Sequence, residues 1–284
     1  MRIFVVGRSG QVAQSLLEVG EATRHEVIAA GRPDLDLADP GSIGPAIANA
    51  APDVVINAAA YTAVDKAETE REAAFRVNGE GPGRLAEACC QLDIPIVHIS
   101  TDYVFDGSSS RSYLEADPVA PLGVYGESKR AGEEAVRAAA PKHFIFRTAW
   151  VYSPFGSNFV KTMLRLAETR DEVSVVDDQI GNPTSALDIA TGIIAVVDKL
   201  DQNAFGTYHM SGNGIASWAD LAKAVFSDAG KATSVKRIRS EEFPTPAPRP
   251  LNSRLDCSKL EEVFGLMLPD WRNSVRVCVR ELTA

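Results

Sequence analysis

The sequence predicts an α/β fold, built on a doubly wound parallel sheet with a smaller α/β domain towards the C-terminus. Short runs of β-branched and aromatic residues alternate with helix-forming segments through residues 1–150. Such alternation is typical of parallel strands joined by helices that cover both faces of a sheet. The pattern becomes less regular over residues 151–284. We therefore expect two domains divided near residue 150, with a segment near residues 180–200 returning to the first.

The composition is that of an ordinary globular protein. The chain has 284 residues, 45% hydrophobic and 24% charged, which is enough apolar material for a sizeable core. A formal net charge of −9 argues against general nucleic-acid binding. No apolar run approaches the ~18 residues that span a bilayer, and the first run is too short for a signal peptide. We expect a cytoplasmic protein without membrane contact, with its four scattered cysteines reduced.

The first strand and the turn after it indicate a dinucleotide site. Ile3–Val6 has the profile of a buried parallel strand, and Gly7-Arg-Ser-Gly10-Gln-Val-Ala13 follows at once. In a Rossmann fold the first glycine permits the tight turn, the second lets the backbone approach a pyrophosphate, and a small third residue allows close helix packing. The helix N-terminus then offers free N–H groups to the phosphates. We expect the cofactor to contact Gly7, Gly10, Gln11 and Val12.

The second strand, Glu26 to Ala30, ends where an adenosine ribose would lie. An acidic residue at this point favours NAD, whereas a basic residue favours a 2′-phosphate. Arg32 therefore predicts NADPH as the cofactor, with Asp36 and Leu37 beside the ribose. The aspartates around Arg32 keep NADH possible.

Two further strands are predicted over residues 53–57 and 94–100, with helices over residues 69–78 and 81–92 between them. The carboxyl ends of parallel strands meet at one edge of the sheet, where such folds bind ligands. Small or hydroxyl-bearing residues follow both strands, and we expect them to line the cofactor site: Ala58, Ala59, Ala60, Thr62 and Ser100.

The stretch after the fourth strand carries the chemistry. Thr101 stands at the strand end, and residues 102–121 form a long polar connection that we interpret as a loop over the site rather than core. The helix predicted next places Tyr125 and Lys129 on one face, because they are four residues apart. A phenol with a pKa near ~10 is a poor acid at neutral pH, and a nearby cation lowers that pKa. Tyr125 is thus a candidate acid, Lys129 its tuner and Thr101 a hydroxyl that shares the substrate oxygen; a half-buried tyrosine beside a solvated lysine is the alternative.

The rest of the chain contributes a second set of elements. The proline-rich stretch 243–254 is unsuited to a helix interior, yet it carries Arg249, Asn252 and Arg254. We interpret it as an ordered loop that offers cations to a second anionic ligand, with a plain connection as the alternative. The other predicted elements are strands over residues 144–147 and 173–176 and helices over residues 158–168, 186–200 and 217–229.

Taken together, these motifs resemble a known family. The glycine turn, the Ser100-Thr101 strand end and Tyr125-x-x-x-Lys129 resemble an extended short-chain dehydrogenase/reductase. Within that superfamily, four longer segments are similar to the dTDP-4-dehydrorhamnose reductase family, and they occur in the same order over nearly the whole chain. These segments are Asn57–Glu68, Ser100–Gly107, Arg147–Tyr152 and Arg249–Asp256.

The resemblance implies that NADPH or NADH reduces the 4-keto group of dTDP-4-dehydro-β-L-rhamnose, the last step of dTDP-L-rhamnose synthesis. It implies that Tyr125 protonates the incipient alkoxide, that Lys129 binds the nicotinamide ribose, and that Thr101 hydrogen-bonds the keto oxygen. The residues that it implies at the substrate are Val64, Asp102, Tyr103, Trp150, Asn158, Arg249 and Asn252.

Departures from related families narrow this interpretation. Tyr103 stands where sugar 4,6-dehydratases have a glutamate, which disfavours dehydration. Ser15 and Leu187 stand where some relatives have carboxylates for Mg²⁺, so we predict no metal requirement. We expect a monomer or a homodimer. Two alternatives remain: a non-catalytic NADP-binding regulatory subunit, like the β subunit of methionine adenosyltransferase, and another nucleotide-sugar reductase or epimerase on the same scaffold.

Overall fold

A six-stranded parallel sheet organises the chain in the computed structural model, which describes residues 1–200 and 204–284. In space the strands run β2-β1-β3-β4-β5-β10, and all neighbouring pairs are parallel. The predicted doubly wound α/β fold is therefore confirmed. The strands are β1 (Arg2–Val6), β2 (Glu26–Ala30), β3 (Val54–Asn57), β4 (Ile96–Thr101), β5 (His143–Thr148) and β10 (Gly206–His209).

Helices cover both faces of this sheet, because successive strand residues point to opposite faces. Ile3 and Val5 belong to one apolar layer, and Phe4 and Val6 belong to the other. The first layer contains α1 (Gln11–Glu21), α8 (Ala186–Asp198) and α10 (Ser258–Phe264). The second layer contains α2 (Pro40–Ala50), α5 (Gly81–Gln91) and α6 (Val124–Ala139).

A long helical stretch connects β3 to the layer that holds α6. After the short α3 (Val64–Ala67), α4 (Arg71–Phe75) continues through a π-helical turn, Arg76–Glu80, into α5. The two helices predicted over residues 69–78 and 81–92 are thus one helical stretch. π-Helical turns often occur at functional sites, and this turn places Asn78 against α6.

The remaining elements form a second apolar cluster beside the sheet. In this cluster β7 (Glu172–Val176) pairs in parallel with β12 (Ser234–Ile238). Helices α7 (Phe159–Leu166), α9 (Trp218–Asp228) and α11 (Trp271–Thr283) contribute its buried side chains. Two short pairs join the cluster to the sheet region: β6 (Val151–Tyr152) with β9 (Thr184–Ser185), and β8 (Ile180–Gly181) with β11 (Ala216–Ser217).

One sequence-based prediction is wrong in this region. The connection 102–121 was expected to be loop rather than core, but Val104, Phe105 and Tyr113 are buried in it. The Phe105 and Tyr113 rings stack with their centroids 4.2 Å apart. These aromatic side chains therefore pack the connection onto the body of the protein. Among the helices described, none has the length and apolarity needed to cross a bilayer.

Candidate active site

The glycine turn after β1 leaves room for a ligand's phosphates. Gly7 has φ +117°, and a Cβ on it would lie 3.2 Å from the Ala59 nitrogen, so a side chain is excluded. Gly10 is the N-cap of α1 and offers no side chain to its first N–H groups. The sheet order changes direction between β1 and β3, next to this turn. Such a switch point, facing a bare helix N-terminus, fits a dinucleotide pyrophosphate.

Two arginines lie near the end of β2, where the adenosine ribose would be held. Arg32 is exposed, two residues after the end of the strand. Arg8, which the sequence analysis did not single out, lies beside Gly31 and pairs with Asp34 at 3.3 Å. Asp36 uses a carboxylate oxygen to accept from the Ala38 N–H. Two guanidinium groups are thus available at this edge for a 2′-phosphate, and one of them already pairs with Asp34.

The loop after β3 is held in place by Asn78, another residue that the sequence analysis missed. The Asn78 side chain accepts from the Tyr61 N–H at 2.8 Å and donates to the Tyr61 carbonyl at 3.0 Å. It also donates to the Ser128 hydroxyl at 3.0 Å, which itself donates to the Tyr125 carbonyl. Asn78 therefore links the loop after β3, which contains Ala58, to α6, the helix that carries Tyr125.

Helix α6 lies unusually close to its neighbours. A Cβ on Gly126 would be 2.2 Å from the Tyr103 carbonyl, and one on Gly132 would be 2.0 Å from the Asn78 carbonyl. At its N-terminus, Glu68 accepts from the Val124 N–H at 2.9 Å, which is a favourable position for a carboxylate. These contacts give α6 a single position against the sheet.

Tyr125 and Lys129 both lie on α6, and their electrostatics differ from the expectation. Burial raises the pKa of the Tyr125 phenol to about 12, with the Thr101 hydroxyl opposing that shift and the Asp102 carboxylate adding to it. Lys129 is 2% exposed and donates to the Ile99 carbonyl at 2.7 Å. Burial lowers the pKa of Lys129 to about 8, and Glu133 opposes that shift. In the protein alone, burial outweighs any effect of the ammonium on the phenol.

Thr101 and Asp102 form the other half of the site. The Thr101 hydroxyl donates to Asp102 Oδ1 at 2.9 Å and accepts from the Tyr103 N–H at 3.2 Å. Burial raises the pKa of Asp102 to about 6, although the Thr101 hydrogen bond and the nearby Ser253 hydroxyl lower it. The Tyr103 ring meets the Tyr125 ring edge to face, with centroids 5.5 Å apart.

Beneath the site, Glu133 anchors α6 to two neighbouring strands, β4 and β5. It accepts from the Ser100 hydroxyl at 2.6 Å and from Arg147 at 2.9 and 2.7 Å. Glu133 is 0% exposed and Arg147 is 2% exposed. Ser100, predicted to contact the cofactor, thus commits its hydroxyl hydrogen to this ion pair.

An aromatic wall borders the site on the side of the second cluster. Trp150 stacks on Trp218 with ring centroids 3.7 Å apart, and its indole N–H donates to Ser253 at 3.0 Å. Trp150 has φ +49°, a strained value for so bulky a residue, and such strain tends to occur at functional sites. Gly181 makes room for it, because a Cβ there would lie 2.6 Å from the indole.

The proline-rich loop is tied to the start of the helical stretch. Arg249 pairs with Asp65 at 2.9 Å, and the Ala247 N–H donates to the same carboxylate oxygen at 3.2 Å. Val64 begins α3 directly before Asp65 and is partly buried. Arg249 therefore ties the loop to α3, with its charge balanced by the Asp65 carboxylate.

Three of the predicted ligand contacts use their side-chain amides within the protein. Asn158 caps α7 by accepting from the Lys161 N–H at 3.1 Å, and it donates to Gln11 at 2.9 Å. Asn252 donates to the Ser109 and Arg111 carbonyls at 2.7 and 2.8 Å. The structure thus gives these amides a role in holding loops, and direct ligand contact remains a prediction.

The other predicted cofactor contacts differ in how far they are buried. Ala60 is partly buried and Thr62 is exposed in the loop after β3, and Val12 is buried in the first turn of α1. Leu37 is a core residue, lying where a Cβ on Gly81 would come within 2.7 Å of it. No cluster of metal-binding side chains occurs within residues 1–200 and 204–284.

Comparison with known proteins finds relatives over the full length. The family model described as the RmlD substrate binding domain matches residues 1–284. A dTDP-4-dehydrorhamnose reductase of Sinorhizobium fredii is 48% identical, over 97% of this chain and 96% of its own. The crystal structure of a dTDP-4-dehydrorhamnose reductase from Clostridium acetobutylicum is 40% identical, with a TM-score of 0.96 and 100% of both chains covered. One from Bacillus anthracis, in complex with NADP, is 36% identical, with a TM-score of 0.94 and 99% of both chains covered.

Proposed function

This chain belongs to the dTDP-4-dehydrorhamnose reductase family, and on that premise we propose that it uses NADPH to reduce the 4-keto group of dTDP-4-dehydro-β-L-rhamnose. The observation that supports this proposal is that Thr101, at the end of β4, lies at the same carboxyl edge of the sheet as the glycine turn after β1, with Tyr125 and Lys129 on the helix α6 that packs there. Reduction needs a hydride at C4 and a proton at O4. Bound NADPH supplies the hydride, and the protein must supply the proton and the geometry.

The cofactor's two ends are assigned to different groups. The bare N-terminus of α1, after Gly7 and Gly10, would hold the pyrophosphate through backbone N–H groups. Arg32 and Arg8 would hold the 2′-phosphate, which gives NADPH the advantage over NADH. Lys129 lies within the site to donate to the nicotinamide ribose.

Tyr125 is assigned as the general acid. Its pKa of about 12 keeps the phenol protonated at neutral pH, which is the state that an acid requires. When the proton moves to O4, a phenolate remains, and the ammonium of Lys129, one turn further along α6, would help to offset its charge. Thr101 fixes the position of the same oxygen.

The second cluster, residues 151–284 apart from the segments that return to the sheet, is assigned to the nucleotide sugar. Arg249 would meet the diphosphate, exchanging its pairing with Asp65 for a doubly charged partner. Val64, Tyr103 and Trp150 would surround the sugar. We assign α8, β10 and α10 to the dinucleotide domain, because they pack on its sheet.

The proposal is tested by loss of the nicotinamide absorbance when NADPH and the protein receive dTDP-4-dehydro-L-rhamnose made in situ. Wild type should oxidise NADPH only with the sugar, and Tyr125→Phe should be slower by a factor of about 10²–10⁴ while still binding NADPH. Tyr208→Phe is the control, because that phenol donates to the Ala204 carbonyl away from the site. Tight NADPH binding without oxidation would favour a regulatory subunit instead.

The setting of the protein is also proposed. We assign it to the cytoplasm as a monomer or homodimer that acts on a small-molecule substrate. Light scattering during gel filtration would measure the mass of the assembly, and a mass of a trimer or larger would contradict this assignment.

A further inference from the structure

We propose that Asp102 is a positioning residue that sets the direction of the Thr101 hydroxyl hydrogen. Ionised Asp102 draws that hydrogen away from the substrate oxygen, and protonated Asp102 releases it to the substrate. The inference rests on the reductase function proposed above and deepens it, because it adds a condition under which Thr101 can assist the reaction.

The hydrogen bonds of the Thr101 hydroxyl leave it no hydrogen for a ligand. A threonine hydroxyl has one hydrogen and two lone pairs. The hydrogen goes to Asp102 Oδ1 at 2.9 Å, and one lone pair accepts from the Tyr103 N–H at 3.2 Å. What remains is a single lone pair, which can accept from the Tyr125 phenol but cannot donate. A keto oxygen can only accept, so Thr101 in this arrangement gives it nothing.

The surroundings of Asp102 make its charge costly. Asp102 is 2% exposed, and its Oδ2 atom has no hydrogen-bond partner in the part of the chain that the structure describes. Ser253 lies close enough to lower the pKa of Asp102 but does not complete a bond to Oδ2. Its hydroxyl accepts from Trp150 and points its hydrogen at the Ile180 carbonyl, 3.5 Å away. A buried carboxylate oxygen without a partner favours the protonated acid.

Among residues 1–200 and 204–284, no charged side chain offsets this cost. Burial raises the pKa of Asp102 to about 6, and only hydroxyl and main-chain hydrogen bonds oppose it. The titratable groups that face it are Tyr125 on α6 and Tyr103 on its own turn, and the charge of Asp102 raises the pKa of both. Arg249 and Asp65 act on Tyr103 from the far side with opposite signs. Asp102, with a pKa of about 6, and Lys129, with a pKa of about 8, are the two groups of the site that change charge near neutral pH, and Asp102 is the one that does so on the acid side.

Protonation reverses the hydrogen bond. The acid O–H of Asp102 can then donate to Thr101, and the Thr101 hydrogen turns to the substrate oxygen. As hydride reaches C4, that oxygen has two donors, Tyr125 and Thr101, instead of one. Losing one such donor costs a factor of about 10²–10³ in rate. The rate should therefore fall about tenfold per pH unit above the pKa of Asp102, until it has fallen by the whole factor that the lost donor costs.

The experiment compares pH profiles of kcat/KM for wild type, Asp102→Asn and Asp106→Asn. An asparagine side chain has no charge at any pH, and its NH₂ group can donate to Thr101 as the protonated acid would. Wild type should lose activity above about pH 6, and Asp102→Asn should show no such fall and exceed wild type at about pH 8. Asp106 is the control, because it is bonded to Ser108 and Tyr113 nearby, and Asp106→Asn should follow wild type.

Two results would overturn the inference. One is the same fall in Asp102→Asn as in wild type, and the other is a folded Asp102→Asn protein that is inactive at every pH. A ¹³C NMR titration of aspartate carboxyls, assigned by the signal lost in Asp102→Asn, gives an answer independent of activity. A carboxyl that titrates near 4 overturns the inference, whereas one near 6 supports it. Wild type without sugar-dependent NADPH oxidation at any pH would instead reject the proposed function, and the titration would still decide the state of Asp102.

Discussion

The buried ion pair beneath the active site makes a quantitative prediction. Glu133→Gln keeps the shape of the side chain but removes the charge that balances Arg147, which is 2% exposed. The amide oxygen can still accept from Ser100 and from one guanidinium N–H. The amide NH₂ then faces the other N–H, which donates at 2.7 Å to the carboxylate in wild type. Two charge-assisted hydrogen bonds to Oε2, one from Arg147 and one from Arg137, are thus replaced by contacts between donors.

The expected size of the effect follows from that loss. Breaking a buried pair on one side costs about 3–5 kcal/mol. The lower end applies here, because Arg147 also lies over the Phe105 ring at 5.1 Å and donates weakly to the Glu115 carbonyl at 3.4 Å. For a chain of this size, a loss of about 3 kcal/mol lowers Tm by roughly 6–12 °C.

The pH dependence has a definite sign. Burial alone would raise the pKa of Glu133, but the hydrogen bonds and charge of Arg147, with Ser100 and Arg137, hold it below its ordinary value. A depressed pKa stabilises the fold above the unfolded value near ~4.3, and that stability is lost as pH falls below it. The difference between wild type and Glu133→Gln should therefore narrow in acid.

Urea unfolding followed by circular dichroism measures the difference. Glu134→Gln is the matched control one residue along, because Glu134 forms an exposed pair with Arg130 at 2.8 Å. It should cost about 0.5 kcal/mol or less. If Glu133→Gln were no more destabilising than Glu134→Gln, the ion pair would not anchor α6 to the strands as argued here.

Three other changes test neighbouring parts of the account. Gly132→Ala should destabilise the protein by about 3 kcal/mol or more in urea unfolding, because its Cβ would lie 2.0 Å from the Asn78 carbonyl. Gly44→Ala is the control: its Cβ would have nothing within 4 Å, and it should stabilise the protein by about 0.5–1 kcal/mol. Equal effects would contradict the close packing of α6. Gly7→Ala should abolish NADPH binding in fluorescence titrations while the protein stays folded, and unchanged affinity would remove the turn from the cofactor site. Lys129→Met should raise the free energy of unfolding at neutral pH. The pKa of Lys129 in the folded protein, about 8, lies below the ordinary 10.5, so the buried charge opposes folding until the pH passes those values. An unchanged unfolding midpoint would show that the ammonium is not desolvated.

The sheet could be predicted from the sequence because its strands are short β-branched runs and its ligand turn follows the first of them. Helix α2 was missed, since its sequence contains Gly41, Gly44 and Pro45, which disfavour a helix locally. Its buried Ile43 and Ile47 pack on the sheet and outweigh that preference. Strand β10 was missed because four residues at a sheet edge leave almost no pattern.

The hydrogen-bond partners of individual side chains could not be predicted in the same way. Asn78 lies in unremarkable sequence and Asn252 lies in a stretch that we predict at the ligand. Yet Asn78 joins the loop after β3 to the helix of the candidate acid, and Asn252 holds a distant loop. Which groups an amide meets is decided by tertiary packing, and no spacing within the sequence encodes it. The same holds for Tyr125, whose pKa is set by burial more than by the lysine four residues away.

The most direct test of the central claim is a single turnover with NADPH deuterated at the transferable nicotinamide position. The account predicts that wild type places deuterium at C4 of the sugar and yields dTDP-L-rhamnose, as read by NMR of the product. Tyr125→Phe should bind the same cofactor and sugar but transfer the label at least about 10²-fold more slowly. Transfer at the wild-type rate by Tyr125→Phe would remove Tyr125 as the acid, and deuterium found at another carbon would contradict the proposed reaction.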